Sequence, residues 1–163
     1  MSAVLTEPTY HTELIDGREI QKPLPKNLHS FAQTYLIGFF LRTLSNRYRV
    51  ISELNVLCGP DRLVPDVTVA FRNARYQDGD LADPAILCIE ILSPGQTVGE
   101  LFEKTDRILK AGTPLCWIIW PERRKAWMYS LQDLMEATDT LRVALENVDN
   151  LAVSLPELWR ELD

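Results

Sequence analysis

The sequence has no apolar run near the roughly 20 residues that a membrane-spanning helix needs. The densest candidate, Tyr35 to Phe40, is soon broken by Arg42. Met1 to Glu7 lacks a basic segment followed by an apolar one, so no secretory leader is expected. Cysteine is scarce: Cys58, Cys88 and Cys116 stand singly beside apolar residues, with no C-x-x-C pair. An odd, unpaired set argues against both a disulfide framework and a zinc knuckle. It predicts three reduced core thiols in a cytoplasmic protein. A basic excess is also missing, since 17 Lys and Arg face 23 Asp and Glu for a net charge of −6. Proteins that grip long nucleic acid through its phosphates usually carry the opposite balance. A broad DNA-binding surface is therefore disfavoured, whereas a local basic rim around an acidic site is not. No Gly-rich phosphate cradle is present, which counts against a hydrolase of small phosphorylated molecules. There is no internal repeat and no low-complexity segment.

What is present is a globular composition, 46% hydrophobic and 25% charged over 163 residues. That length suits a single domain over 1–163 that buries its own core. Thr12 to Ile20 reads as a hairpin turning at Asp16-Gly17. After the Pro-rich Lys22 to Lys26, Asn27 is the expected N-cap of a helix from about Leu28 to Asn46. That helix is apolar on two sides, Leu28, Ala32, Tyr35, Leu36 and Phe39 on one and Ile37, Leu41 and Leu44 on the other. Two apolar sides require two burial partners, and the second is expected to be another copy of the chain, a homodimer through this helix.

Strands are expected at Arg49 to Leu57, Asp66 to Phe71 and Ala85 to Leu92, with 72–84 as a polar surface loop. A helix follows over about Val98 to Ala111, ended by Gly112, then strands at Leu115 to Trp120 and Lys125 to Tyr129. The tail holds a strand near Leu141 to Leu145 and a helix from Leu155 to Leu162, capped by Ser154 with Glu157. The order β-β-α-β-β-β-α-β-β indicates an α/β fold, a mixed sheet flanked by helices.

Glu90 is the one charge in Ile86 to Leu92, a run whose apolar density predicts a strand covered on both faces. A carboxylate there must be protonated, ion-paired or bound to metal. Asp66 opens the preceding strand after Pro65. Alone it reads equally as a turn residue. Together, two short carboxylates on consecutive strands can place oxygens around one hard cation such as Mg²⁺. Lys104 lies at the margin of its helix's apolar face, where a long stem can follow apolar surface. It reads equally as a solvated helix lysine.

Val64-Pro65-Asp66-Val67-Thr68-Val69, Ile89-Glu90-Ile91-Leu92-Ser93-Pro94, Glu103-Lys104, Gly112-Thr113-Pro114 and Trp117-Ile118-Ile119 stand in this order in the chain. With Glu13 to Gly17 and His29, the set resembles the Uma-type restriction-endonuclease family of the PD-(D/E)xK superfamily. The resemblance runs from about Glu13 to Tyr129. It implies a restriction-endonuclease-like core over about 12–130, with 131–163 as a C-terminal extension. It also implies Mg²⁺- or Mn²⁺-dependent hydrolysis of phosphodiester bonds in DNA, often by a homodimer.

On that resemblance Asp66 and Glu90 are the paired acids, with the Ile91 carbonyl as a third metal ligand. The usual lysine position holds Leu92, and the lysine is Lys104 of the following helix. Glu13, His29 and Glu53 are outer members of the site. By pattern alone, His29 reads as a hydrogen-bonded core residue and Glu53 as an outward one. Arg107 and Lys110 are candidate phosphate contacts, as are Arg123, Arg124 and Lys125, which read more readily as a solvated hairpin turn. Leu115-Cys116 replaces the family's usual acidic and aromatic pair, and its usual tyrosine near Leu109 is missing. A module of the same fold without catalysis, binding nucleic acid or assembling, would use the acid–lysine set as a buried ion network.

Overall fold

Asp16 (φ 51°) and Gly17 (φ 75°) turn the chain between β1 (Thr12–Ile15) and β2 (Arg18–Gln21). Two-residue turns with both residues left-handed match strand twist, and Asp-Gly adopts them cheaply. The expected hairpin is therefore present. The computed structural model describes residues 11–146 and 148–163, with backbone alone at 148–150. Residues 1–10, and with them the segment considered as a leader, lie outside the described residues.

Helix α1 spans Asn27–Thr43. The Ser30 N–H bonds the Lys26 carbonyl at 3.0 Å, so the first turn closes one residue earlier than expected. Lys26 is the N-cap, without a side-chain bond, and Asn27 is already helical. The helix stops short of Asn46 because Leu44 turns extended. The strand expected over Arg49 to Leu57 is two strands, β3 (Tyr48–Ser52) and β4 (Val56–Cys58). Glu53, at φ 51°, divides them, since left-handed backbone cannot continue a strand. After the Gly59-Pro60 turn come β5 (Asp61–Leu63) and β6 (Val67–Phe71). The expected loop over 72–84 contains a small strand pair, β7 (Tyr76–Gln77) and β8 (Asp80–Leu81). Leu81 is fully buried there, an apolar anchor amid polar neighbours.

Next are β9 (Leu87–Ile91), α2 (Val98–Lys110) and β10 (Leu115–Trp120). A 3-10 turn at Pro121–Arg123 leads to β11 (Lys125–Tyr129) and β12 (Leu134–Ala137). The chain closes with β13 (Thr140–Leu145), β14 (Val148–Ser154) and α3 (Leu155–Arg160). β12 and β14 are additions to the sequence reading. The Ser154 Oγ accepts the Glu157 N–H at 3.3 Å, as the capping signal suggested.

The central sheet has six strands in the order β12-β11-β10-β9-β6-β3. β9 and β10 are parallel, joined through α2, and the other neighbours are antiparallel. Parallel neighbours need such a crossover. This is the expected mixed sheet flanked by helices. A second six-stranded sheet of shorter strands runs β2-β1-β5-β4-β8-β7.

Alternation along the strands gives the central sheet two different faces. Val67, Val69, Leu87, Ile89, Ile91, Trp117 and Ile119 join Ala32, Leu36 and Phe40 of α1 in one apolar cluster. Leu141, Val143, Val153, Leu155 and Leu158 belong to that cluster too. On the other face, Ala70, Cys88 and Cys116 meet Ile108 and Leu109 of α2 and Val56, Cys58, Leu63 and Leu81 of the second sheet. All three cysteines are free and buried, as expected.

Two local devices hold α2. Thr97 and Glu100 form a reciprocal capping box, each side chain accepting the other's backbone N–H at 3.2 Å. At its far end Gly112 has φ +116°, and a Cβ there would come 2.9 Å from Pro84. Only glycine meets both demands.

Candidate active site

Asp66 enters the site through its backbone as well as its side chain. Its N–H bonds the Ile89 carbonyl at 3.1 Å, which places it on the β9 side of the chain just before β6. Its Oδ2 accepts the Ile91 N–H at 2.6 Å. The two acids thus sit on neighbouring antiparallel segments, and both are 1% exposed.

Glu90 points to the opposite face from Ile89 and Ile91, toward α2 and the second sheet. There it meets Lys104, whose Nζ lies 2.8 Å from Glu90 Oε1. The approach is off the hydrogen-bond direction, so this buried oxygen accepts no hydrogen bond. The sequence placed Lys104 at the margin of the apolar face. It lies instead on the buried stripe of α2 with Leu101, Thr105, Ile108 and Leu109, and it is 8% exposed. A solvated helix lysine is excluded by this burial. Its ammonium is also paired with Glu13 of β1 and donates to the Val64 carbonyl at 2.9 Å. Glu13 Oε1 accepts the Val64 N–H at 2.9 Å. Both backbone groups of Val64 are therefore held by one acid–lysine pair, which fixes the approach to Asp66.

His29 and Glu53 join from the other side. His29 Nε2 lies 3.1 Å from Asp66 Oδ1, and its buried Nδ1 has no partner. Glu53 is not the outward strand residue its sequence pattern suggested. Its left-handed backbone breaks the strand, and its carboxylate turns to Lys22 and Gln33. A non-glycine residue at positive φ costs about 1–2 kcal/mol, a cost these contacts offset. Lys22 and Gln33 were not anticipated. Lys22 Nζ donates to Asp66 Oδ1 at 2.6 Å and to Glu53 Oε2 at 2.8 Å. Gln33 donates to Glu53 Oε1 at 3.0 Å and to the Asp66 carbonyl at 2.8 Å. Lysine in a Pro-rich connection gives no periodic signal, so the sequence offered nothing to select it.

The electrostatics divide the two central acids. Burial drives the Glu90 carboxyl up to about 8, and the charges of Asp66 and Glu13 add to this against the opposing Lys104. Asp66 is equally buried, yet hydrogen bonding to His29 and the charges of Lys22 and Lys104 hold it well below the usual carboxylate range. Burial opposes the Lys104 ammonium, but Glu90, Glu13 and Asp66 outweigh it and raise its pKa. Lys22 is raised in the same way by Asp66, Glu90 and Glu53. One acid is thus poised to hold a proton while its neighbour stays ionised.

The other basic candidates have structural partners. Arg107 forks onto Asp16 and Asp61 at 2.8–3.0 Å, and Lys110 pairs with Asp106 at 2.6 Å. Arg124 binds Asp163 and the Trp159 carbonyl, Arg123 lies over Trp120, and Lys125 faces Glu136. None of them approaches Asp66. The departures at Leu115-Cys116 and Leu109 fall within the apolar clusters rather than around the acids.

A cleft of about 460 Å³ opens beside Glu13 and Lys104. Its wall carries Asp16, Glu100 and Glu103 against Arg107, so its mouth is acidic. A phosphate diester entering there requires added positive charge. The donors suit a hard divalent cation: the buried Glu90 Oε1 has the Lys104 ion pair but no hydrogen bond, and the four carboxylates of Glu13, Glu53, Asp66 and Glu90 are met by two ammonium groups, Lys22 and Lys104. Among the described residues no three acidic, imidazole or thiol groups converge on one point. A cation held by Asp66 and Glu90 would complete its shell with backbone oxygen and water, as Mg²⁺ commonly does.

A mixed sheet with one buried acid on β9 and another just before the adjoining β6, and a lysine reaching the first from the crossover helix, defines a restriction-endonuclease-like α/β protein. The chain belongs to the Uma2 family, described as "Putative restriction endonuclease", whose family model matches residues 2–163. It is similar to a solved structure described as a "putative nuclease belonging to DUF820" from Anabaena variabilis ATCC 29413. The two share 28% identity and a TM-score of 0.78, over 96% of this chain and 93% of that one. No curated protein matches the sequence significantly. No helix among the described residues is long and apolar enough to cross a membrane.

Proposed function

We propose that this protein is a divalent-metal-dependent nuclease that hydrolyses phosphodiester bonds of DNA, with Asp66 and Glu90 as its metal ligands. The observation that carries this reading is the pair of buried carboxylates on β9 and on the segment leading into β6, with the Lys104 ammonium against one of them. Membership of a family described as restriction endonucleases supports it, as does similarity to a structure described as a nuclease.

In this reading Asp66, Glu90 and the Ile91 carbonyl would hold Mg²⁺ or Mn²⁺, which would supply an acidified water and positive charge to offset that building on the pentacoordinate phosphorus. Lys104, anchored by Glu13 and the Val64 carbonyl, sets the position of Glu90 and presents positive charge at the floor of the cleft. His29 holds Asp66 ionised and oriented. Glu13 and Glu53 hold the two lysines.

The test is cleavage of plasmid and single-stranded DNA with Mg²⁺ or Mn²⁺ by wild type and Glu90→Ala. Loss of at least roughly a hundredfold in the variant is expected. Equal cutting by both proteins would move the chemistry elsewhere. Lys22 on Asp66 and Glu53 favours one second reading, a nuclease-fold module whose acids and lysines form a closed ion network. Absence of cutting by wild type on every substrate would select it.

A second copy packing on α1 belongs to the same proposal. Of the expected second apolar side, Ile37 and Leu44 pack against the chain's own core, so the exposed surface away from Ala32, Leu36 and Phe40 is Leu41, 69% exposed, with Phe31, 47% exposed. Light scattering should give twice the chain mass, reduced to a monomer by Leu41→Glu; a monomeric wild type would end this part of the proposal.

A further inference from the structure

We infer that Lys22 is a tethered placeholder cation, which occupies the gap between Asp66 and Glu53 and must leave it when a divalent metal binds Asp66. This inference rests on the metal-site reading above.

Both oxygens of Asp66 are accounted for. Oδ2 is bound to the Ile91 N–H at 2.6 Å, a backbone contact on β9 that cannot move without disturbing the sheet. Oδ1 carries Lys22 at 2.6 Å and His29 at 3.1 Å. A metal approaching Asp66 therefore competes with the Lys22 ammonium for its most readily released oxygen. The gap is also built for positive charge. Glu53 reaches it through a left-handed backbone, with Gln33 holding its other oxygen at 3.0 Å, and Glu53 Oε2 is 2.8 Å from Lys22.

The tether allows the exchange without unfolding. The Lys22 backbone N–H bonds the His11 carbonyl at 2.9 Å, continuing the β1–β2 ladder, and Pro23 follows. The main chain is fixed at this point, while four methylenes let the ammonium swing. Glu53 beside it is 25% exposed, so the gap opens to solvent and a displaced Lys22 ammonium passes to water rather than into apolar core. The lysine side chain is 10% exposed with Asp66 and Glu53 as partners. Removing it from that gap would expose it and free two carboxylates.

Calorimetric titration with Mn²⁺ of wild type, Lys22→Gln and Glu90→Ala separates the possibilities. Mn²⁺ binding by wild type, tightened about tenfold or more in Lys22→Gln and lost in Glu90→Ala, is the expected result. Equal or weaker binding by Lys22→Gln would overturn the placeholder role while leaving the metal site standing. No binding by any of the three would remove both readings. A second measurement uses wild type alone, so it holds even if Lys22→Gln folds poorly. Modification of lysines by an amine-reactive acylating reagent, mapped by mass spectrometry, should rise several-fold at Lys22 with Mn²⁺ while Lys104 stays protected. Lys22 protection that is unchanged at saturating Mn²⁺ would also overturn the inference.

Discussion

The two faces of the central sheet are built from the same strands and put to different uses. On β9, Leu87, Ile89 and Ile91 face α1 in an all-apolar layer, while Cys88 and Glu90 face α2 and the second sheet. On β10, Trp117 and Ile119 join the first layer, with Phe40 and Trp117 rings 5.8 Å apart. On the α1 face the polar atoms of Trp117 and Tyr48 are spent on the Arg142 and Glu146 carbonyls, and at its edge His29 and Gln33 reach Asp66. The opposite face admits charge, and each charge there is tied to another. The difference teaches that a buried acid is tolerable where the layer above it supplies cations, and that the apolar layer behind it supplies the stability to hold it there.

The contrast can be broken from either side. Trp117→Ala should cost about 3–5 kcal/mol in urea denaturation, because the void on the α1 face cannot collapse against a rigid sheet. Lys104→Met removes the shared partner of Glu13 and Glu90 and should cost about 3 kcal/mol, since breaking one side of a buried pair strands the other. An unchanged midpoint for Lys104→Met would mean that the polar face is wetter than its burial indicates.

A smaller effect sharpens the comparison through pH. Glu90 titrates near 8 when folded, against 4.5 in the unfolded chain, so between these values the folded state holds a proton that the unfolded state has released. Stability from this group is complete below about pH 4.5 and declines as pH rises through about 8. Asp66 acts in the opposite sense, its contribution being lost only as pH falls below the ordinary carboxylate range. Denaturation between pH 5 and 8 should therefore show wild type losing at least about 1 kcal/mol that Glu90→Gln does not lose. Parallel profiles for the two proteins would discount the shift.

Glu90 was legible in the sequence because it interrupts an apolar strand, a placement that burial makes costly without a partner, whereas Asp66 at its strand's entry was legible only through its pairing with Glu90 and the family resemblance. The hairpin, α2 and the paired strands β9 and β10 were legible from turn chemistry, caps and dense apolar runs. Lys104 was half legible: its helix was found, but a lysine on a buried stripe contradicts ordinary amphipathic patterning and only the opposing acids explain it. Lys22 and Gln33 were not legible, since their roles depend on tertiary approach over 44 and 33 residues. The pattern reading of Glu53 as an outward residue failed for a related reason, because a left-handed residue inside an apparently alternating run cancels the face assignment, and only the resemblance had put it near the site. The short β7–β8 pair and β12 escaped because strands of two to four residues carry too little pattern.

The β1–β2 hairpin has a consequence for how this site can change over generations. Glu13 stands on its first strand and Lys22 directly follows its second, so one small unit delivers the acid that holds Lys104 and the base that holds Asp66. Strand side chains alternate with a period of two. Loss or gain of a single residue at Asp16-Gly17 would shift the two strands against each other and withdraw one or both of these groups together. Point substitutions can tune the site one charge at a time, whereas a single-codon insertion or deletion at this turn would silence it in one step.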